Sequence, residues 1–488
     1  MPITDQLAQV VGAENVLDDP KVIEAYTKDH SLTPRGLFTG VVRPKTAEEV
    51  QKIIQLANEK KFPVIPSSSG IHFHGGAIPR LGGVVLDMSR MNAIREIDEV
   101  NRVTHLEVGV NWEQLQNELE TRGYRSIIPL LPHASRSVIT DWLEREQPVV
   151  HVTEYADALY SMQVIWGSGE EFVTGSASIN HFRKELCAAD GVNPSGPGPV
   201  DYYRFLEGAQ GTMGVVTWGI AKFEEIPSLT KTFFMPVNNV EDAIIPIYKV
   251  LRRRIGYECV LLNSTNLAAI LTEDWPDQFN ELRSAFAPWT IVLVIGGLKR
   301  RPEEKVAYEE KALREIRMAH FPNILLTNSL PGMSGIDRKL PGILRKPWPK
   351  DKTYWKHAYK GGCQDLMFVT TLDRAPGFIA AMNEVAGQHQ FLTGDIGCSV
   401  QPLENGRACQ IEFNIYYDPE TKAEVAKVRG LYAAAAARML EKGAYFNRPY
   451  GIVAEMAYHR AADYAGILKR IKKILDPNNV MNPGNLCF

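Results

Sequence analysis

The run PVIPSSSGIHFHGGAIPRLGGVVLD, Pro63–Asp87, places two apolar, strand-like pieces on either side of a segment rich in serine and glycine. Small residues let the backbone approach another molecule closely and present N–H groups to it. A loop of this kind between strands is suited to a pyrophosphate. Its two histidines, His72 and His74, stand where a cofactor and a substrate would meet.

Working outward, TGVVR (Thr39–Arg43) reads as a strand, and KTAEEVQKIIQLANEKK as a helix. Thr46 caps that helix, Glu49 follows three residues on, and Val50, Ile53, Ile54 and Ala57 repeat on one face. Strand, helix and strand over this distance form an α/β unit, with the Ser/Gly loop at the end of its second strand. Upstream, short helices are expected, with Pro20 interrupting them. NWEQLQNELETRG is a helix closed by Gly123. SMQVIWG and EEFVTG are strands, and TMGVVTWGIAKFEEIP reads as two joined strands ended by Pro227.

Beyond Pro227 the pattern alternates helices (VEDAIIPIYKVLRRR, RPEEKVAYEEKALREIRMAHF) with strands (TIVLVIGGL, QIEFNIYYD). Leu330–Tyr359, rich in Pro, Gly and Lys, reads as a long ordered loop over a site. An Ala-rich helix and the tail DYAGILKRIKKILDPNNVMNPG close the chain.

The 488 residues are enough for two or three domains. A net charge of −3 gives no electrostatic case for nucleic acid. No apolar run approaches bilayer length and the N-terminus lacks a signal pattern, so a cytoplasmic location without a transmembrane segment is expected. The six cysteines form no CxxC, and no compact set of His, Cys, Asp or Glu suggests a metal. There is no GxSxG elbow. GAQGTMGVVTWG, with Gly211, Gly214 and Val216, is a second glycine-rich site, but neither segment is a Rossmann or P-loop fingerprint.

The order PSSSGIHFHGGAIPR, SRSVITDWLERE, WGSGEEFVTG, EGAQGTMGVVTWGIAKFEEIP and ILDPNNVMNPG resembles the flavoenzymes of the vanillyl-alcohol oxidase and p-cresol methylhydroxylase family. The resemblance covers most of residues 35–235 and 440–488. It implies an α+β fold: a two-part FAD-binding domain of the p-cresol methylhydroxylase (PCMH) type, residues 1–235 and 450–488, and an α/β cap on an antiparallel sheet, residues 236–449. FAD is the implied cofactor. Pro66, Ser67, Ser68, Ser69, Gly70, Ile71, His72 and Gly75 would cradle its pyrophosphate. Ser137 and Thr140, Gly211, Gly214, Val216 and Asn482 would complete the site. Covalent attachment at His72 or His74 is one implied option, and His389 is a weaker candidate.

The same resemblance places His74 and Asn447 where relatives hold a phenolate with tyrosines, and Arg448 where they keep arginine. His133 is a candidate base, because the segment offers no clear Asp before Asp141, which a helix can turn away. Ile139-Thr140 stands where relatives have glycine, and QPVVHVTEY (147–155) replaces another glycine-bearing run. Tyr354, Trp355, His357, Tyr359, Gln410, Glu412 and Asn414 offer lining, and Asp373, Asp395 and Glu412 are carboxylates that a fold can gather. The leading expectation is oxidation of a small aromatic compound at a benzylic C–H or C–OH. A 2-hydroxy-acid dehydrogenase passing electrons to a partner protein, or an inactive flavin-fold subunit, are the alternatives. The implied partners are an aromatic substrate, an electron-transfer protein and further subunits in a homo- or hetero-oligomer.

Overall fold

In the computed structural model, which describes all residues except 1, 37, 150–157, 176, 181–199 and 201, the Ser/Gly loop leaves the end of a parallel sheet. Gly40–Val42, Val84–Asp87 and Val64–Ser67 lie side by side in parallel, and Val16–Leu17 adds an antiparallel edge. Helix Ala47–Lys60 makes the crossover. Thr46 accepts from the Glu49 amide, and Val50, Ile53, Ile54 and Ala57 are fully buried. Upstream, Pro20 opens the helix Pro20–Tyr26 at its first turn instead of interrupting one.

A second, antiparallel sheet orders Ile94–Asp98, Val103–Glu107, Gly214–Glu225, Leu159–Trp166 and Glu171–Val173, with Tyr124–Ser126 pairing off the path. TMGVVTWGIAKFEEIP is one strand here, not two. Its register against Leu159–Trp166 shifts at Val216/Trp218 and Gly219/Ala221, and these bulges explain the broken alternation. The third sheet has six antiparallel strands in the order Leu229–Val237, Trp289–Gly297, Glu258–Asn263, Ile396–Leu403, Ala408–Tyr417 and Gly362–Thr370. Helices pack on both faces of it and bury two apolar clusters. This is the mixed architecture expected, with an antiparallel cap.

The expected long loop between Leu330 and Tyr359 contains the helix Ile336–Leu344 and the turn Trp355–Ala358. Ile336, Leu340 and Leu344 are buried at a spacing of four, a signal obscured by Pro341 and Gly342. The C-terminal tail returns to the first sheet. The Val64 amide donates to Val480 O at 2.7 Å, and the Asn482 amide donates to Val64 O at 2.9 Å. Most of the run QPVVHVTEY lies outside the described residues.

One buried histidine gives the fold a pH dependence. His105 packs on Trp218 with ring centroids 4.5 Å apart, and its Nε2 has no partner among the described residues. Burial, helped by Arg95, lowers its pKa from 6.5 to about 4. The unfolded chain takes up a proton that the folded chain refuses. Stability therefore declines as pH falls from 6.5 toward 4, by about 2 kcal/mol at pH 5. His105→Phe is expected to flatten this acid limb in urea melts at pH 7 and pH 5.

Candidate active site

The Ser/Gly loop is held by its own side chains. Ser67 Oγ and His72 Nε2 lie 2.9 Å apart, so His72 already has a partner inside the loop. Burial, reinforced by Arg136, lowers the His72 pKa. Gly75 has φ +77°, donates to Asp29 Oδ2 at 2.6 Å, and leaves no room for a Cβ beside Thr33. In the second glycine-rich segment, Gly211 has φ +69° and its Cβ would press on the Pro66 ring at 3.1 Å. The two segments meet through the tail: Asn482 Nδ2 donates to Gly76 O at 2.8 Å and to Gln210 O at 2.7 Å. Pro66, Ser68, His72, Gly211, Gly214 and Val216 line the cavity between them, about 100 Å³. Asn482→Ala leaves two main-chain carbonyls without a donor, at a cost of about 1–3 kcal/mol. A lower unfolding midpoint and roughly tenfold weaker FAD binding by fluorescence quenching are the expected results.

Across the loop stands the helix Val138–Leu143, capped by Ser137, whose Oγ accepts from the Thr140 amide at 3.1 Å. Side-chain and main-chain contacts join this segment to the loop. Ser68 Oγ touches Thr140 Oγ1, the Ser137 amide donates to Ser69 Oγ at 2.9 Å, and the Gly70 amide donates to Ser135 O at 3.0 Å. Behind them Arg136 is buried. It donates through Nε to Asp141 Oδ1 at 2.7 Å and through Nη2 to Glu144 Oε2 at 2.7 Å, while Nη1 reaches Ile71 O. Asp141 is therefore turned inward, where it also accepts from Trp112 Nε1 at 2.6 Å. Burial raises the Asp141 pKa to about 6 in spite of Arg136. Burial also raises Glu144, but Arg136 outweighs it and the net direction is down. This ion-paired partition separates the cavity along the glycines from a cavity of about 60 Å³ that faces the cap.

On the cap side, His74 and Arg448 are brought together by a residue the sequence reading passes over. Glu146 pairs with both Arg448 terminal nitrogens, Nη2 to Oε2 at 3.0 Å, and its Oε1 lies 3.9 Å from His74 Nε2. Burial works against the Glu146 charge, but Arg448 and His74 prevail and hold its carboxyl well below the usual range. The His74 ring lies 4.9 Å from that of Tyr450. Facing this group from the cap sheet, Lys356 Nζ reaches Asp365 at 2.7 Å and Glu412 at 2.5 Å, and Asn414 Nδ2 donates to both carboxylates at 2.7 Å. Gln410, Glu412 and Asn414 thus share a strand face, as their spacing of two predicts. Arg136, Arg448 and Lys356 face Asp141, Glu144, Glu146, Asp365 and Glu412, so carboxylates outnumber these three cations. The signal for Glu144 and Glu146 is visible in LEREQ, two glutamates two residues apart beyond a short helix.

The remaining candidates divide. His133 lines the cap-facing cavity with His74 and accepts from the Ser135 amide at 3.1 Å, with its pKa lowered by burial. Asn447 is buried but lines neither that cavity nor the larger one described below. Tyr354 and Trp355 donate to Leu131 O and line the cap-facing cavity. His357 stacks on His30 instead, and Tyr359 donates to Asp395 away from the site. Asp373, Asp395 and Glu412 do not gather: their partners are Tyr248, Lys360 and Lys356. His389 sits at the end of helix Ala375–Gln388, beside Gly430. No group of His, Cys, Asp and Glu among the described residues could hold a metal ion.

The lining of the glycine cavity suits FAD at its phosphate end: small residues, close backbone approach and a Gly211 that admits no side chain. Its volume is below the roughly 300–1,000 Å³ of pockets that enclose drug-sized ligands.

Two family models match the chain, the FAD binding domain over residues 38–138 and the C-terminal domain of FAD linked oxidases over residues 368–486. The D-2-hydroxyglutarate dehydrogenase of Stutzerimonas stutzeri is 23% identical over 99% of this chain and 98% of that protein. The glycolate oxidase subunit GlcD of Bacillus subtilis is 25% identical over 52% of this chain, which spans about half (51%) of that relative's length. Among solved structures, p-cresol methylhydroxylase with substrate bound superposes with a TM-score of 0.81 at 17% identity, covering 99% of this chain and 95% of that one. Among the described residues no helix is long and apolar enough to cross a membrane.

Proposed function

We propose that this chain, which matches the FAD binding domain and the C-terminal domain of FAD linked oxidases and whose cofactor is FAD, is a dehydrogenase of 2-hydroxy acids. One observation carries the reading. Arg448, buried beside His74, keeps its Nε without a partner among the described residues, an unused charged donor for a carboxylate. The aligned relatives named above for 2-hydroxyglutarate and glycolate support the same class. Likeness to p-cresol methylhydroxylase at 17% identity supports the fold, so the benzylic expectation has the weaker footing.

In this reading Arg448 binds the substrate carboxylate and Tyr450 donates its hydroxyl beside it. His74 takes the proton of the substrate hydroxyl. Glu146 positions both Arg448 and His74. When bound, FAD supplies the acceptor for the hydride leaving C2, and the product is the 2-oxo acid. The electrons then pass to a partner protein, in keeping with a relative named as a subunit.

Anaerobic mixing of the FAD-loaded protein with D- and L-2-hydroxy acids and with 4-alkylphenols tests the assignment. Bleaching of the flavin near 450 nm by a hydroxy acid alone is expected. Bleaching by the phenols alone would return the benzylic assignment to first place.

A further inference from the structure

A cavity of about 610 Å³ opens between the helices Lys422–Glu441 and Gly451–Arg460. His74 and Arg448 line it together with Leu366, Met367, Tyr432 and Phe446. Two residues of this lining each bury a polar atom that has no hydrogen-bond partner among the described residues: Arg448 Nε and the Tyr450 hydroxyl. Their residues are only 2% and 8% exposed, so bulk water reaches neither freely. Arg80 and Arg429 also line the cavity, and Arg429 is exposed to solvent. The cavity therefore combines apolar walls with basic side chains, Arg80, Arg429 and Arg448, and with the carboxylates of Asp365 and Glu455.

A three-carbon acid would satisfy the donors and leave those walls uncovered. A volume in the roughly 300–1,000 Å³ range suits a much larger ligand. We propose that the substrate is a 2-hydroxy acid bearing a large apolar group, an aryl ring or a medium-length alkyl chain, with its carboxylate at Arg448 and Tyr450 and its apolar group in this cavity. The proposal rests on the dehydrogenase reading for its chemistry, and on the cavity alone for its specificity.

Each methylene buried against such walls favours binding roughly three- to fourfold. Flavin reduction by the FAD-loaded protein is measured across lactate, 2-hydroxybutyrate, 2-hydroxyhexanoate and 2-hydroxyoctanoate. The expected kcat/KM rises by that factor per methylene. A flat or falling series overturns the size inference while leaving the dehydrogenase reading intact. A second measurement needs no turnover: octanoate is titrated against acetate by calorimetry. Tight binding of octanoate with no reduction by any hydroxy acid would sustain the cavity assignment and sink the dehydrogenase reading. Absence of octanoate binding overturns the cavity assignment. Ala433 lines the cavity from the helix Lys422–Glu441 and takes no part in the chemistry. Ala433→Trp is expected to remove at least tenfold of the preference for 2-hydroxyoctanoate over lactate. An unchanged chain-length preference in this variant also counts against the proposal.

Discussion

Arg448→Ala is expected to lower kcat/KM for a 2-hydroxy acid by roughly 10²–10³-fold, the 3–4 kcal/mol typical of truncating one partner of a buried charge pair. Two effects combine. The substrate carboxylate loses its cationic partner, and Glu146 loses the guanidinium that holds its carboxyl low. Without Arg448, burial acts on Glu146 with less opposition, so it takes up a proton more readily and its hold on His74 weakens. The uncharged 2-hydroxy amide separates the roles. A much smaller loss for the amide marks Arg448 as the carboxylate partner, whereas equal losses for acid and amide mark it as structural. Arg448→Lys keeps the charge but not the two-pronged geometry, and is expected to recover only part of the activity.

Arg136→Ala is expected to cost about 3–5 kcal/mol in urea unfolding, because it strands Asp141 and Glu144 as buried charges. The triple variant Arg136→Met, Asp141→Asn, Glu144→Gln removes the charges together and is expected to regain most of that stability. An Arg136→Ala protein as stable as the parent would show that the partition is solvated. Glu144→Gln alone keeps the Arg136–Asp141 pair and removes a negative charge from the wall of the phosphate cavity. FAD binding, followed by fluorescence quenching, is expected to tighten roughly three- to tenfold. Weaker binding would mean that Glu144 serves the cofactor instead of opposing it.

The first domain was legible because its signals are local. Thr46, Glu49 and the apolar face from Val50 to Ala57 specify one helix, and Gly75 and Gly211 occupy positions that a side chain would block. The helix Ile336–Leu344 was not legible, because Pro341 and Gly342 mask a periodicity that tertiary burial enforces. His74 and Arg448 were found through their place in a known arrangement. Glu146 was missed because LEREQ shows two neighbouring glutamates but not their partners, and those of Glu146, His74 and Arg448, are distant in the chain. The same holds for Lys356 between Asp365 and Glu412, where a lysine in a Pro- and Lys-rich stretch reads as surface.

The amide hydrogens of Asn482 reach Gly76 and Gln210, 406 and 272 positions earlier in the chain. During synthesis, every residue on the walls of the cofactor cleft leaves the ribosome well before the residue that ties those walls together. A nascent chain thus carries an untied cleft until the Asn482 segment has been made and has folded back onto the first sheet.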